Sequence, residues 1–196
     1  MERLGLFGGT FDPPHIGHLA LAEWAREELR LDRVVFIPAG RPPHKGGRIS
    51  SAPARLAMTR LATRGHPSFR VSTVELGDRG ASFTVDTLRH VAARYPRARL
   101  FLLIGADSLD EFRTWRAPGA ILERATLAVA ARPGSGRAAT REWARRHGVV
   151  WLGNPALEVS SSLVRERARA GRSLRYLVTD SVARYIARHR LYAGRR

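Results

Sequence analysis

His15 and His18 stand three residues apart, just behind Gly8, Gly9 and Thr10. Each imidazole can donate a hydrogen bond to an anionic oxygen, and a charged ring is favoured beside phosphate. A three-residue spacing puts both rings on one side of a helix's first turn. Paired glycines let the backbone approach an anion and offer N–H groups to it. A helix N-terminus adds partial positive charge. Together these residues compose an anion clamp. Two other readings stay open: an ordinary strand-to-helix turn, and a metal site in which Asp12 supplies a third ligand. The zincin spacing that would favour the metal is absent.

Three further groups are candidates. Asp107 follows an apolar run and can accept from ribose hydroxyls or cap a helix. Ser160, Ser161 and Arg165 begin a helix, where hydroxyls, N–H groups and a guanidinium suit phosphate, or where a serine simply caps. His44 and Lys45 lie in a polar loop, 39–51, rich in Gly and Pro. Loops of that length inside a domain are usually functional or disordered. Lys45 is the chain's one lysine, so a phosphate contact is expected of it.

The elements that must hold these residues alternate. Leu4–Phe7 reads as a buried strand, Ile16–Arg30 as an amphipathic helix and Arg33–Pro38 as a second strand, a βαβ unit that implies parallel strands. Helices follow at Pro53–Arg64, at Thr84–Tyr95 with Thr84 as N-cap, at Pro118–Arg124 and at Ala138–Arg146. Strands follow at Phe69–Ser72, Arg99–Gly105, Thr126–Ala131 and Val149–Leu152, and helices at Ser161–Ala170 and Asp180–His189 close the chain. The expected fold class is α/β: a Rossmann-like, doubly wound parallel sheet with helices on both faces. One domain spans 1–196, with a small helical C-terminal part from about 154. Ligands in such sheets bind beyond the carboxyl ends of the strands, at the switch point. That places the chemistry at residues 8–18, 38–45 and 105–107.

The chain has 196 residues, no cysteine and a formal charge of +17. Without cysteine there is no disulfide framework, thiolate metal site or cysteine nucleophile. The N-terminal apolar stretch is short and interrupted by glycines, unlike a signal peptide, and no run reaches the length of a membrane span. A cytoplasmic protein is expected. The arginines are scattered from Arg3 to Arg196 without a long block, zinc-finger spacing or an RNP-type aromatic motif. Nucleic-acid binding is therefore disfavoured, though it remains the rival reading from another class.

His15-Ile-Gly-His18 behind Gly-Gly-Thr-Phe-Asp-Pro resembles the His-x-Gly-His signature of the nucleotidyltransferase superfamily. The longer string is similar to the bacterial nicotinate-nucleotide adenylyltransferases. Four more segments resemble that family in order: Pro38 through Pro42-Pro43-His44-Lys45, Ser82 to Leu88, Ile104-Gly105-Ala106-Asp107 with Trp115 downstream, and Val159 to Arg167. The first motif specifies only the superfamily; the ordered set is far more specific, and it runs from Leu4 to Tyr192.

The resemblance implies that nicotinate mononucleotide and ATP give deamido-NAD and pyrophosphate. The mononucleotide's phosphate attacks in line, so catalysis is positioning and charge neutralisation. Mg²⁺ would be held by ATP phosphates and water rather than by a protein cage. Gly8, Gly9, Thr10, Phe11, His15 and His18 would lie along the phosphates, with His18 at the α-phosphate. Gly105 and Asp107 would take the adenosine, and Ser160, Ser161 and Arg165 the far phosphates. His18, His15 and Arg165 are the catalytic candidates. His44, Lys45, Thr84, Trp115 and Arg116 would serve the acceptor, Trp115 by stacking on the pyridine unless it only packs the core. Many family members carry an aromatic residue where Arg116 stands. A guanidinium facing the pocket would favour an acidic ring; one facing solvent would leave only its N–H. Nicotinamide mononucleotide and pantetheine phosphate are alternative acceptors; the latter fits the Ser82–Leu88 and Trp115 segments poorly. A tRNA synthetase would need a Lys-Met-Ser-Lys-Ser segment, which is missing. The sequence leaves a homo-oligomer open.

Overall fold

The computed structural model describes residues 1–40, 49–77, 83–130 and 138–193. Ser82, His44, Lys45 and most of their loop lie outside the described residues.

Six strands form one parallel sheet: β1 (Arg3–Gly9), β2 (Arg33–Pro38), β3 (Phe69–Val71), β4 (Arg99–Gly105), β5 (Ala125–Ala130) and β6 (Val150–Leu152). Their spatial order is β3-β2-β1-β4-β5-β6. The order reverses between β1 and β4, which pair directly, Leu6 opposite Leu102. The helices are α1 (Ile16–Glu28), α2 (Ala52–Thr63), α3 (Thr84–Arg94), α4 (Ala106–Glu111), α5 (Pro118–Leu122), α6 (Ala138–Arg146), α7 (Ser161–Arg169) and α8 (Asp180–Arg188). A 3-10 turn, Phe112–Thr114, follows α4.

Apolar strands work here because successive side chains point to opposite faces and both faces are covered. Leu100, Leu102 and Ile104 pack with Val85, Leu88 and Val91 of α3 and with Ile121 of α5. Phe101 and Leu103, between them in sequence, pack on the other face with Ala22 and Ala25 of α1. A third cluster joins Met58 and Ala62 of α2 to Val164 of α7 and to Val182 and Ile186 of α8. Each fully buried aliphatic side chain contributes about 1.5–3 kcal/mol before entropy is counted. The third cluster thus fastens the C-terminal helices to α2, next to the cradle residues. Among the described residues no helix is long and apolar enough to cross a membrane.

The strands and the other helices follow the order read from the sequence, but α4 and the 3-10 turn after it were not read there, and the caps differ. Phe83, not Thr84, is the N-cap of α3, and Thr84 is its first helical residue. Phe83 is extended (φ −112°, ψ 133°) and takes the cap position without a side-chain bond. Asp107 is not a cap either. Gly105 both ends β4 and caps α4, so the strand passes into the helix with no linker and Asp107 falls in the first turn. Ser160 does cap α7, accepting from the Leu163 N–H at 3.1 Å.

Candidate active site

A cavity of about 1130 Å³ opens where the sheet order reverses, beyond the carboxyl ends of β1, β2, β4 and β5. Gly8, Gly9, Thr10, His15 and His18 line it, as do Gly105, Asp107, Ser160, Ser161, Thr84, Trp115 and Arg116. All described site candidates but two therefore meet in one space. The exceptions are Phe11 and Arg165, which stand behind the lining.

The cradle is shaped by close contacts. His15 is the N-cap of α1 and His18 its third helical residue. The His15 backbone N–H donates to His18 Nδ1 at 3.1 Å. The two rings lie 3.7 Å apart, tilted by 31°. Gly17 leaves room between them, since a Cβ there would crowd the His15 ring at 3.1 Å. A ring nitrogen that accepts an N–H bond carries no proton, so this bond assigns the His18 proton to Nε2. Nδ1 of His18 is thus spent on the helix start, and Nε2 is the nitrogen that donates.

Phe11 is 2% exposed, with its ring edge-on to Phe7 at 5.5 Å and to His18 at 5.1 Å. Its φ of 49° lies in the left-handed region, uncommon for a side-chain-bearing residue. The ring acts as the floor of the cradle and backs His18. Gly9 must be a glycine because its Cβ would meet that ring at 2.9 Å.

Asp12 is 3% exposed. Its Oδ1 accepts from the Tyr192 hydroxyl at 2.6 Å and its Oδ2 from the Ser50 N–H at 3.1 Å. The carboxylate is thus engaged away from the histidines, and the metal reading of His15, His18 and Asp12 falls. No His, Asp and Glu grouping suited to a metal occurs among the described residues. Burial first, then the bond to Asp12, raises the Tyr192 pKa, so its phenol stays protonated and donates.

The start of α7 is stitched to the same segment. Ser161 Oγ donates to the Pro13 carbonyl at 2.9 Å. Arg165 donates to the Asp12 carbonyl at 2.8 Å and to Ser162 Oγ at 3.0 Å. The hydroxyls of Ser160 and Ser161 thus have protein partners, and the first-turn N–H groups of α7 are what it brings to the cavity. The N-termini of α1 and α7 reach the same space, and both favour negative charge there.

The remaining wall is different. Trp115 is half-buried, tilted on Phe112 at 5.3 Å, so it packs and lines at once. Arg116 lies over the Phe83 ring at 4.7 Å and 3.8 Å from Asp86, with its side chain 59% exposed. It neither enters the pocket nor leaves it: it forms the rim, its charge shared with Asp86. Glu75 and residues 154–158 also line the cavity and went unread in the sequence, and Thr87 lines it too, inside a segment read only as a motif. Thr87 donates to Glu75 at 2.6 Å. A single glutamate after a short strand carries no spacing signal, so only the fold could find it.

The chain matches the cytidylyltransferase-like family pattern over residues 6–167. It is 46% identical to a probable nicotinate-nucleotide adenylyltransferase of Thermomicrobium roseum, covering 98% of this chain and 92% of that one. It is also 46% identical to one of Exiguobacterium sibiricum, covering 97% and 99%. In fold it resembles the Plasmodium falciparum nicotinic acid mononucleotide adenylyltransferase solved with NaAD, with a TM-score of 0.78, 14% identity and 98% of each chain covered. At this identity and coverage, this chain belongs to the cytidylyltransferase-like family and, within it, to the nicotinate-nucleotide adenylyltransferases.

Proposed function

We propose that this enzyme transfers the adenylyl group of ATP to nicotinate mononucleotide, releasing pyrophosphate and forming deamido-NAD. A phosphate oxygen of the mononucleotide bonds to the α-phosphorus, and the bond from that phosphorus to the bridging oxygen of the β-phosphate breaks. The observation that carries this reading is the convergence of two helix N-termini and His18 on a cavity large enough for two nucleotides. The names of its relatives supply the acceptor.

Gly8, Gly9 and Thr10 receive the phosphates through backbone N–H groups. His18 donates from Nε2 to the α-phosphate, where charge grows as the new bond forms. His15 stacks on it and fixes its ring. Gly105 and Asp107 take the adenosine, Asp107 by accepting from ribose. The N-terminus of α7, with Ser160 and Ser161, faces the β- and γ-phosphates, and Arg165 holds that helix in place through Asp12. Thr84 and Trp115 take the pyridine and its carboxylate, and Arg116 adds positive charge at the rim. His44 and Lys45 are assigned to substrate phosphate through the motif they share with the family. The donors of the cradle are imidazole and N–H groups, which suit anionic oxygens rather than a cation, so a magnesium ion accompanying ATP would be held by phosphate oxygens and water and would neutralise phosphate charge. A cytoplasmic setting, where ATP is supplied, accords with this reading.

The test is pyrophosphate release from ATP with each acceptor in turn. Release with nicotinate mononucleotide, and much less with nicotinamide mononucleotide or pantetheine phosphate, is expected. A rate with pantetheine phosphate matching or exceeding that with the nicotinate acceptor would overturn the reading.

A further inference from the structure

Arg55, on α2, is 2% exposed, and its side chain makes no ion pair among the described residues. A buried guanidinium is costly unless its donors are met. Here they are met by four backbone carbonyls. Nε donates to Ser50 at 3.1 Å; one terminal nitrogen donates to Thr10 at 3.0 Å and Ala39 at 2.6 Å; the other donates to Gly40 at 2.9 Å. These carbonyls come from three separate stretches, after β1, after β2 and before α2. Thr10 and Ala39 line the cavity. Two residues on from Thr10, the Asp12 carboxylate bridges the Ser50 N–H and the Tyr192 hydroxyl, and the Asp12 carbonyl holds Arg165.

Between those two anchors sits Phe11, held in the left-handed region. Backbone in a sparsely populated conformation persists when its surroundings over-determine it. Packing alone could hold the Phe11 ring, but it would not fix the carbonyls on either side. We propose that Arg55, Asp12 and Tyr192 are positioning residues for adenylyl transfer: a buried strut that sets the backbone path of the phosphate cradle without touching substrate. The far C-terminal Tyr192 thereby contributes to chemistry at the first strand. Burial lowers the Arg55 pKa, and the charge of Asp12 opposes that shift.

The proposal rests on the adenylyl-transfer reading, so its test includes a measurement that needs no acceptor. Tyr192→Phe removes one hydroxyl and keeps the ring; Arg55→Lys keeps the charge and loses most of the fork. Melting temperature, the Kd for ATP alone, and kcat and KM with nicotinate mononucleotide are measured for each. Both variants are expected to stay folded and to keep KM for the mononucleotide within twofold. The kcat should fall about tenfold in Tyr192→Phe and about a hundredfold in Arg55→Lys, the scale of a small misplacement of reacting groups. The Kd for ATP should rise at least threefold in both. Less than a threefold change in both kcat and ATP Kd would overturn the proposal. If Arg55→Lys does not fold, Tyr192→Phe decides. If the parent does not use nicotinate mononucleotide, the function reading fails, while the ATP Kd still decides the strut.

Discussion

The two sides of the cavity are built on different terms. The phosphate side, from Gly8 to His18 with the start of α7, is backbone-dominated, buried and cross-linked to α2 and Tyr192. The acceptor side is a rim of half-buried and exposed side chains on short elements: the 3-10 turn, α5 and the first turn of α3. A triphosphate is the same in every reaction of this superfamily, so its site can be rigid and made of N–H groups. An acceptor differs from enzyme to enzyme, and a rim of side chains can change without moving the cradle. On the proposed assignment the difference teaches where to look for chemistry and where for choice: turnover would follow the first side and acceptor preference the second.

The hardest blow to that division is His18→Ala. Loss of one donor aimed at developing charge costs about 10²–10³ in kcat. The fold should survive, because the loss is one capping hydrogen bond while α1 keeps its packing through Ala22 and Ala25. Steady-state turnover, with circular dichroism as control, measures it; near-normal kcat would place the chemistry elsewhere. Trp115→Ala should act on the other side. Loss of base stacking is worth about 1–3 kcal/mol, so KM for the mononucleotide should rise roughly five- to a hundredfold with kcat nearly unchanged. A fall in kcat with constant KM would instead tie Trp115 to the cradle and blur the comparison.

The same division governs what could be read from the sequence. The phosphate side was legible because its chemistry is local: Gly8 to His18 is one strand-turn-helix, and Ser160 starts a helix that a serine cap announces. Residues on the acceptor side come from scattered places, so only the motif resemblance found Thr84 and Trp115, and nothing found Glu75. Arg55 was hidden by another route. An arginine inside Ala-Arg-Leu-Ala-Met reads as a solvated helix position, yet it is among the most buried large side chains. Its partners are carbonyls, which leave no mark in a sequence. The capping role of His18 Nδ1 was hidden for a related reason, since its bond to the His15 N–H depends on ring orientation rather than on residue type.

The smallest expected effect is also the sharpest probe of the acceptor side. Arg116 is more than half exposed, shares its charge with Asp86 at 3.8 Å and leans on Phe83. An exposed charge of this kind is worth about 0.2–1 kcal/mol and weakens with salt. Arg116→Ala should therefore lower the preference for nicotinate over nicotinamide mononucleotide by no more than about fivefold. The ratio of kcat/KM for the two acceptors, measured at low and high salt, reads this directly. A loss of tenfold or more would mean that the guanidinium swings off Phe83 and bonds the ring carboxylate itself. No change at either salt would leave acid recognition to Thr84, Trp115 and the backbone N–H groups beside them. Arg116→Trp, which restores the aromatic residue common in the family, separates these outcomes further. It should bind both acceptors more tightly through stacking while moving the ratio in the same direction as alanine, because charge and flat surface are then varied independently at one position of the rim.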